Sequence, residues 1–346
     1  MGFEAEAHSN SRDSHRPFAI NLVLVCVLCL AAVASLLVGA SQISVTSALR
    51  GLTGSDEIAA IIVREIRLPR MLLAVGVGAM LGLAGAAIQA LTRNPLAEPA
   101  VLGTPQAAAL GAVAVLYTGA ASANSLTIAI AAMTGAGCAM ALILVLIRKR
   151  QNILTLLLAG LGLASLTGAA MSFIISISPN PYAVMEIVFW LMGSFEDRSM
   201  VHVAIAFPFM LAGGVVLFSC QSAYTALTLG EEAAQSLGVN VARVALLTGA
   251  GISLGIGAAV SVSGAIGFVG LVAPHLVRPC CGGDPGRALL PSMLCGASLT
   301  ATADVLVRLI PSTTEVRVGV LTALIGAPWF IWLVVTRKGL FGSNPP

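Results

Sequence analysis

Ten apolar stretches divide the chain, each long enough to match the hydrocarbon thickness of a bilayer. They cover residues 18–40, 71–91, 97–118, 124–147, 153–177, 201–219, 241–262, 264–281, 288–309 and 318–336. A membrane-crossing helix needs about 20 mainly apolar residues, because a rise of 1.5 Å per residue must bridge roughly 30 Å. No water reaches that depth, so each backbone N–H and C=O must be satisfied within the protein, as a helix does. The pattern therefore predicts an all-α integral membrane protein of about ten transmembrane helices.

Composition closes off the other classes. Hydrophobic residues make up 58% of the 346 and charged residues only 10%, with a mean hydropathy of +0.97. A soluble domain carries roughly 25% charged residues to cover its surface with groups that water solvates. A soluble enzyme, a nucleic-acid binder and a disordered scaffold are excluded, and a net charge of +3 is too small to imply nucleic acid. The first apolar run is too long for a signal peptide and no small-residue cleavage site follows it, so it is expected to stay attached.

The charges set an orientation. With residues 1–17 as a cytoplasmic tail and one crossing per segment, the inner side receives Arg12, Arg16, Arg93, the run Arg148-Lys149-Arg150, Arg243, Arg278, Arg287, Arg337 and Lys338. The outer side receives Arg50, Arg64, Arg67, Arg70, Arg198, Arg308 and Arg317. The bias follows the positive-inside rule and puts both termini, including a C-terminal tail at 339–346, in the cytoplasm. The outer group at 64, 67 and 70 runs against that rule and needs a cause. Residues 182–194, after the breaker Ser178-Pro179-Asn180-Pro181, are too short to span and are expected at the surface.

Small residues recur at helix-packing spacing, as in Gly78 and Gly82 or Gly251 and Gly255. In lipid, helices gain nothing hydrophobic from association, so close backbone approach supplies the contact. Glycine and proline also interrupt the chain near 94–105 and 264–279, at matching places in its two halves. Segments two to five and seven to ten then form an inverted repeat with broken spans beside a cavity.

Candidate chemistry is sparse. Cys26 and Cys29 have CxxC spacing but lie in an apolar run, and the other cysteines are scattered, so packing thiols are expected. No HExxH, no catalytic triad order and no phosphate-cradling glycine loop occurs, so nucleotide hydrolysis and cofactor chemistry are not expected of this chain. Asp304 lies within a span with Arg308 four residues on, the favourable order for a helical ion pair. A proton- or sodium-coupled carrier would hold unpaired acids in its spans. The polar block 221–240, with LGEEAAQSLG, has the look of a helix outside the membrane that docks a soluble partner.

Six ordered strings carry a resemblance over most of the chain: RLPR (67–70), QALTRNPLAEPAVLG (89–103), FWLMGSF (189–195), LGEEAAQSLGV (229–239), SGAIGFVGLVAPHLVR (263–278) and VRVGVLTALIGAPWFIWL (316–333). They resemble the FecCD-type permeases of ABC importers for ferric siderophores, haem and vitamin B12. The resemblance implies the type II importer architecture over residues 18–338 in a bacterial inner membrane. It implies that ATP is used by a separate ATPase subunit, present in two copies, and that a second permease copy completes the pore, as a homodimer. A periplasmic binding protein would dock on Arg67, Arg70, Arg308 and Arg317. The ATPase would meet Gly230, Glu231, Glu232, Ala233, Leu237 and Gly238 in cytoplasmic coupling helices. Gln89, Asn94, Pro95, Gly168 and Met171 are candidates for the translocation pathway. Relatives commonly carry proline where Arg317 stands; it either extends the docking surface or faces the entrance, and Glu315 could neutralise it. A ferric siderophore is the first choice of substrate, with haem and cobalamin as alternatives by the same mechanism and an ion-coupled carrier as the distant one.

Overall fold

A computed structural model describes residues 3–39, 41, 44–53, 56–119, 125–147, 153–311 and 315–336. The basic run at 148–150, Arg337, Lys338 and the tail at 339–346 lie outside the described residues. Among the described residues there is no strand.

Helix α1 (Phe3–Leu37) holds the first span and begins well inside the expected polar tail, so its backbone shows no boundary at residue 17. Two short helices not foreseen in the sequence follow, α2 (Val45–Thr53) and α3 (Glu57–Ile61). A π-helical turn at Ile62–Arg67 then joins α3 to α4 (Leu68–Thr92), giving one apolar helical run over Glu57–Thr92. The helical run thus starts about four turns earlier than hydropathy alone suggests, because Arg64, Glu65 and Arg67 lower the local average. The rest of the first half is α5 (Thr104–Tyr117), α6 (Ser125–Ile147) and α7 (Ile153–Ser176). Helix α8 (Pro181–Leu191) is the short piece after the breaker; the Asn180 side chain caps it by accepting from Tyr182 N, and Pro181 opens it.

The second half contains α9 (Met200–Ser219), α10 (Gln221–Leu227), α11 (Glu231–Ser236) and α12 (Val241–Ser263). It ends with α13 (Val269–Val277), α14 (Leu289–Leu309) and α15 (Val318–Thr336). All ten expected segments are helical in the main. Among the described residues, seven helices are long and apolar enough to cross a membrane, while α5, α13 and α15 are shorter apolar helices.

Two of the short helices are short for one reason. Residues 93–103 and 264–268 turn back into the bundle before helix resumes, and there the two segments meet, with Phe268 N donating to Glu98 Oε1 at 3.2 Å. Phe268 pays for this with a left-handed backbone, φ 66°. Helices α4 and α12 are the most buried, and α1 and α7 the most exposed, of the spanning helices. Helix α4 lies along α14, and α12 along α6, so the first helix of each half packs on the third helix of the other. That reciprocal pairing is what a two-fold repeat produces.

The small residues act where the sequence places them. A Cβ on Gly78 or Gly82 would run into the carbonyl oxygens of Gly296 and Ser292 on α14, and one on Gly85 into Gly270 O on α13. Gly251 and Gly255 allow α12 to approach Gly213 on α9 and Met80 on α4. Backbone contact this close replaces side-chain interdigitation with dispersion and weak C–H···O contact.

Candidate functional site

The long α12 defines two ends of the molecule. Its 23 residues separate Val241, beside α11, from Ser263 by about 33 Å. Ser263 O accepts from Ser194 N at 2.8 Å, and Gly319 N donates to Gly193 O at 3.2 Å, so the starts of α9 and α15 gather at the far end with the arginines. The ends differ in how they treat charge.

At the arginine end, three of the four expected docking arginines are inside the chain. Arg70, in the first turn of α4, is 8% exposed, and Asp304 on α14 is fully buried. Arg70 Nε donates to Asp304 Oδ1 at 2.9 Å and Nη2 to the same oxygen at 2.8 Å, while Nη1 donates to Glu315 Oε2 at 3.0 Å. Arg308 Nη2 takes the other Asp304 oxygen at 2.8 Å. The helical pair Asp304–Arg308 read from spacing is therefore present, but it is buried and shared with an arginine 234 positions away in sequence.

Arg67 and Arg308 also cap α1. Arg67 Nη1 donates to Leu36 O and Leu37 O, both at 2.8 Å, and Nη2 to Ser41 O. Arg308 Nη1 donates to Ser35 O at 2.9 Å and Val38 O at 2.7 Å. The last carbonyls of a helix have no partner of their own and carry its negative pole, so two guanidiniums there answer both needs. Arg67 and Arg70, from the arginine group that runs against the charge rule, and Arg308 thus have partners within the chain. Arg317 remains accessible. Its neutralising acid is Glu196, not Glu315, which Arg70 has taken. Arg317 also lies 5.3 Å over the ring of Phe189.

At the α11 end the opposite holds. Helix α10 is anchored by Leu227 and by the fully buried Tyr224, whose hydroxyl is 2.7 Å from Thr248 Oγ1. Thr225 Oγ1 donates to Asp284 Oδ1 at 2.7 Å, tying α10 to the turn before α14. Gly230, at φ 104°, reverses the chain into α11, and Gly238, at φ 86°, ends it. Val239 N donates back to Ala234 O at 3.0 Å, the closing bond of a glycine-terminated helix. Ala234 is the buried anchor of α11, and Ala233 is partly covered. Leu229 and Leu237 are 66% and 65% exposed, and Glu232 is exposed beside them. Glu231 reaches Arg93 at 3.6 Å, with both side chains about half exposed.

The candidate pathway residues separate. Gln89 is buried and bridges α4 to α13, donating from Nε2 to Leu271 O at 3.4 Å and accepting at Oε1 from Arg278 Nη2 at 3.3 Å. These two bonds tie the two helices together. Asn94 and Pro95 form the turn at the α11 end of α4, where Asn94 Oδ1 accepts from Leu96 N at 2.9 Å. On α7, a Cβ at Gly168 would meet nothing within 4 Å. Met171 lines a cavity of about 190 Å³ together with Glu98, Gln106 and Leu191. A wider apolar groove of about 500 Å³ runs from Leu191 and Met192 along Gly319, Ala323 and Pro328 of α15. Glu98, a part-buried acid that fixes the two re-entrant segments to each other, was not singled out in the sequence; its place in an apolar segment beside Pro99 was the available signal.

Comparison with known proteins follows this geometry. The FecCD transport family matches residues 26–336. The chain is 39% identical to the cobalamin import permease BtuC of Halobacterium salinarum over 82% of its length and 76% of that protein's. It is 35% identical to the Fe(3+)-citrate import permease YfmE of Bacillus subtilis over 94% and 97% of the two chains. It is 37% identical to the hemin transport permease HmuU of Yersinia pestis over 79% and 83%. A solved structure described as a metal-chelate type ABC transporter, inward-facing, superposes with a TM-score of 0.82 at 32% identity, covering 92% of this chain and 99% of that one. With a family match over residues 26–336, relatives more than 30% identical over most of both chains, and its series of apolar helices, this chain belongs to the FecCD transport family of multi-pass membrane permeases.

Proposed function

We propose that the chain is the membrane-spanning subunit of an ATP-driven importer, carrying a bulky metal chelate handed over by a binding protein. The observation that carries this is the α10–α11 unit, a pair of short glycine-bounded helices beyond the spans that exposes Leu229, Leu237 and Glu232. Large apolar side chains on a polar, water-facing unit mark a place for a protein partner. That partner is an ATPase subunit, which supplies energy this chain has no machinery to extract. On this reading the α11 end and both termini are cytoplasmic, the arginine end faces outward, and two ATPase copies serve two copies of this chain in a homodimer.

Alternating access then has a physical basis. Partner movement at α11 is passed to α12, α9 and α4 through rigid glycine-mediated contacts, and tilts the halves about the junction at Glu98 and Phe268. The apolar groove along α15, faced by a second copy, gives a wide and weakly polar passage suited to a large chelate. The delivering protein docks at the arginine end, where Arg67, Arg70 and Arg308 hold the surface rigid from within and Arg317 can touch the partner. A ferric siderophore is the preferred cargo, because relatives named for ferric citrate align end to end with this chain; haem and cobalamin use the same route.

Uptake into proteoliposomes holding the chain, its ATPase and its binding protein tests this. Ferric-chelate uptake is expected to need ATP and to persist when the proton gradient is collapsed at constant ATP. Uptake that follows the gradient would transfer the chain to the ion-coupled class. The absorbance of the purified binding protein names the cargo: a Soret band means haem and a corrin spectrum means cobalamin.

A further inference from the structure

A polar cavity of about 290 Å³ opens at the arginine end, distinct from the buried Asp304 network. Its walls are Glu186, Phe189 and Trp190 of α8, the segment Ser194–Arg198, and Arg317 before α15. Ser263, Leu116 and Ile128 close it from α12, α5 and α6. The groups around it have unequal bonding. Arg317 is paired with Glu196, and Ser194 Oγ accepts from Glu196 N at 3.1 Å. Arg198 is held by one bond, Nε to Val262 O at 2.6 Å. Among the described residues its two terminal nitrogens find no acceptor, and it has no ion pair. Trp190, which is 9% exposed, has an indole N–H that likewise finds no acceptor. Asp197, turned by a left-handed φ of 56°, and Glu186 are exposed at the rim, where water solvates them. Burial pulls the Arg198 pKa down from its ordinary value, and Asp197 opposes this only in part.

Trp190 Nε1 is the buried donor left without an acceptor at this cavity, and the part-exposed Nη groups of Arg198 lie on the same wall. A part-buried guanidinium fixed at Nε presents its two Nη groups as a fork, the shape that pairs with a carboxylate. We propose that the Arg198 cavity is a carboxylate-binding site at the outer mouth of the permease. Its size admits a single carboxylate-bearing group, a Glu or Asp side chain or one arm of a chelate, and not a whole metal chelate. Leu191 and Met192, which begin the α15 groove, directly follow Trp190, so a carboxylate seated here would sit beside the entry of that groove.

The test uses the full chain in lipid nanodiscs at low ionic strength, titrated with citrate as the carboxylate probe while tryptophan emission is followed. A saturable change with a midpoint on the order of millimolar is expected. Arg198→Gln is expected to raise the midpoint roughly tenfold, the worth of a hydrogen bond to a charged group. Glu196→Gln is expected to lower it about threefold, because Arg317 then joins as a second cation. No saturable change, or a midpoint unmoved by Arg198→Gln, overturns the site. If Arg198→Gln fails to fold, Glu196→Gln decides alone, since general damage does not tighten binding; an unchanged or raised midpoint overturns the proposal. The source of the natural carboxylate rests on the importer reading, and the citrate titration does not, so the two fail separately. Weaker docking of the delivering protein in Arg198→Gln, loaded or empty, puts the carboxylate on that protein. Lost uptake of ferric citrate with uptake of a carboxylate-free ferric hydroxamate intact puts it on the cargo.

Discussion

The arginine end and the α11 end carry similar residue types and treat them in opposite ways. At the first, Arg67, Arg70, Arg308 and Asp304 are buried and bonded to one another and to the carbonyls of α1. At the second, Glu231, Glu232 and Arg93 stay in water, and two leucines are left uncovered. Charge that is satisfied inside a chain builds that chain. Charge and apolar surface left outside are available to another molecule. The contrast separates an end whose charges are largely satisfied within the chain from an end that leaves charged and apolar side chains exposed.

The largest effect that can break this comparison belongs to Asp304→Ala. It leaves two buried guanidiniums facing each other without their shared acid, a change worth about 3–5 kcal/mol in buried networks. A large fall in melting temperature in detergent is expected; a variant as stable as the parent would mean the network is not structural. Next is Gly85→Ala, whose methyl group would overlap Gly270 O between α4 and α13. Overpacking of this kind costs about 1–3 kcal/mol, and a neutral result in the same melt would show that the helices are free to separate. Smaller again is Arg317→Ala, which removes a part-exposed pair with Glu196 and is expected to cost at most about 1 kcal/mol. The smallest is Glu231→Gln, expected to shift stability by under about 0.5 kcal/mol, because both partners are about half exposed and salt screens them. A melt that loses more there than at Arg317 would erase the distinction between the ends.

The parts legible in the sequence are those written in local periodicity. Hydropathy located the ten segments, helical spacing paired Asp304 with Arg308, and GxxxG spacing located Gly78 and Gly82 on the α14 contact. What sequence could not give were partners far apart in the chain. Arg70 is 234 residues from Asp304 and 245 from Glu315, so nothing local says that Glu315 is taken and that Arg317 must turn to Glu196. Exposure is equally non-local. RLPR reads as a basic patch until α1 is seen to end against it. The α10–α11 unit was legible because its signals, two glycines around an acidic helix start, lie within ten residues.

The central claim is that the α11 end is a docking face left open for an ATPase. Its most direct test is the affinity of the purified ATPase subunit for the chain in nanodiscs, with Leu229→Asp and Leu237→Asp combined. Both side chains are solvent-exposed, so the melting temperature of the chain should stay within experimental scatter. The account predicts that ATPase affinity falls on the order of a hundredfold, as when central apolar contacts of an interface are lost. Unchanged affinity, with ATP-driven uptake intact, would contradict it.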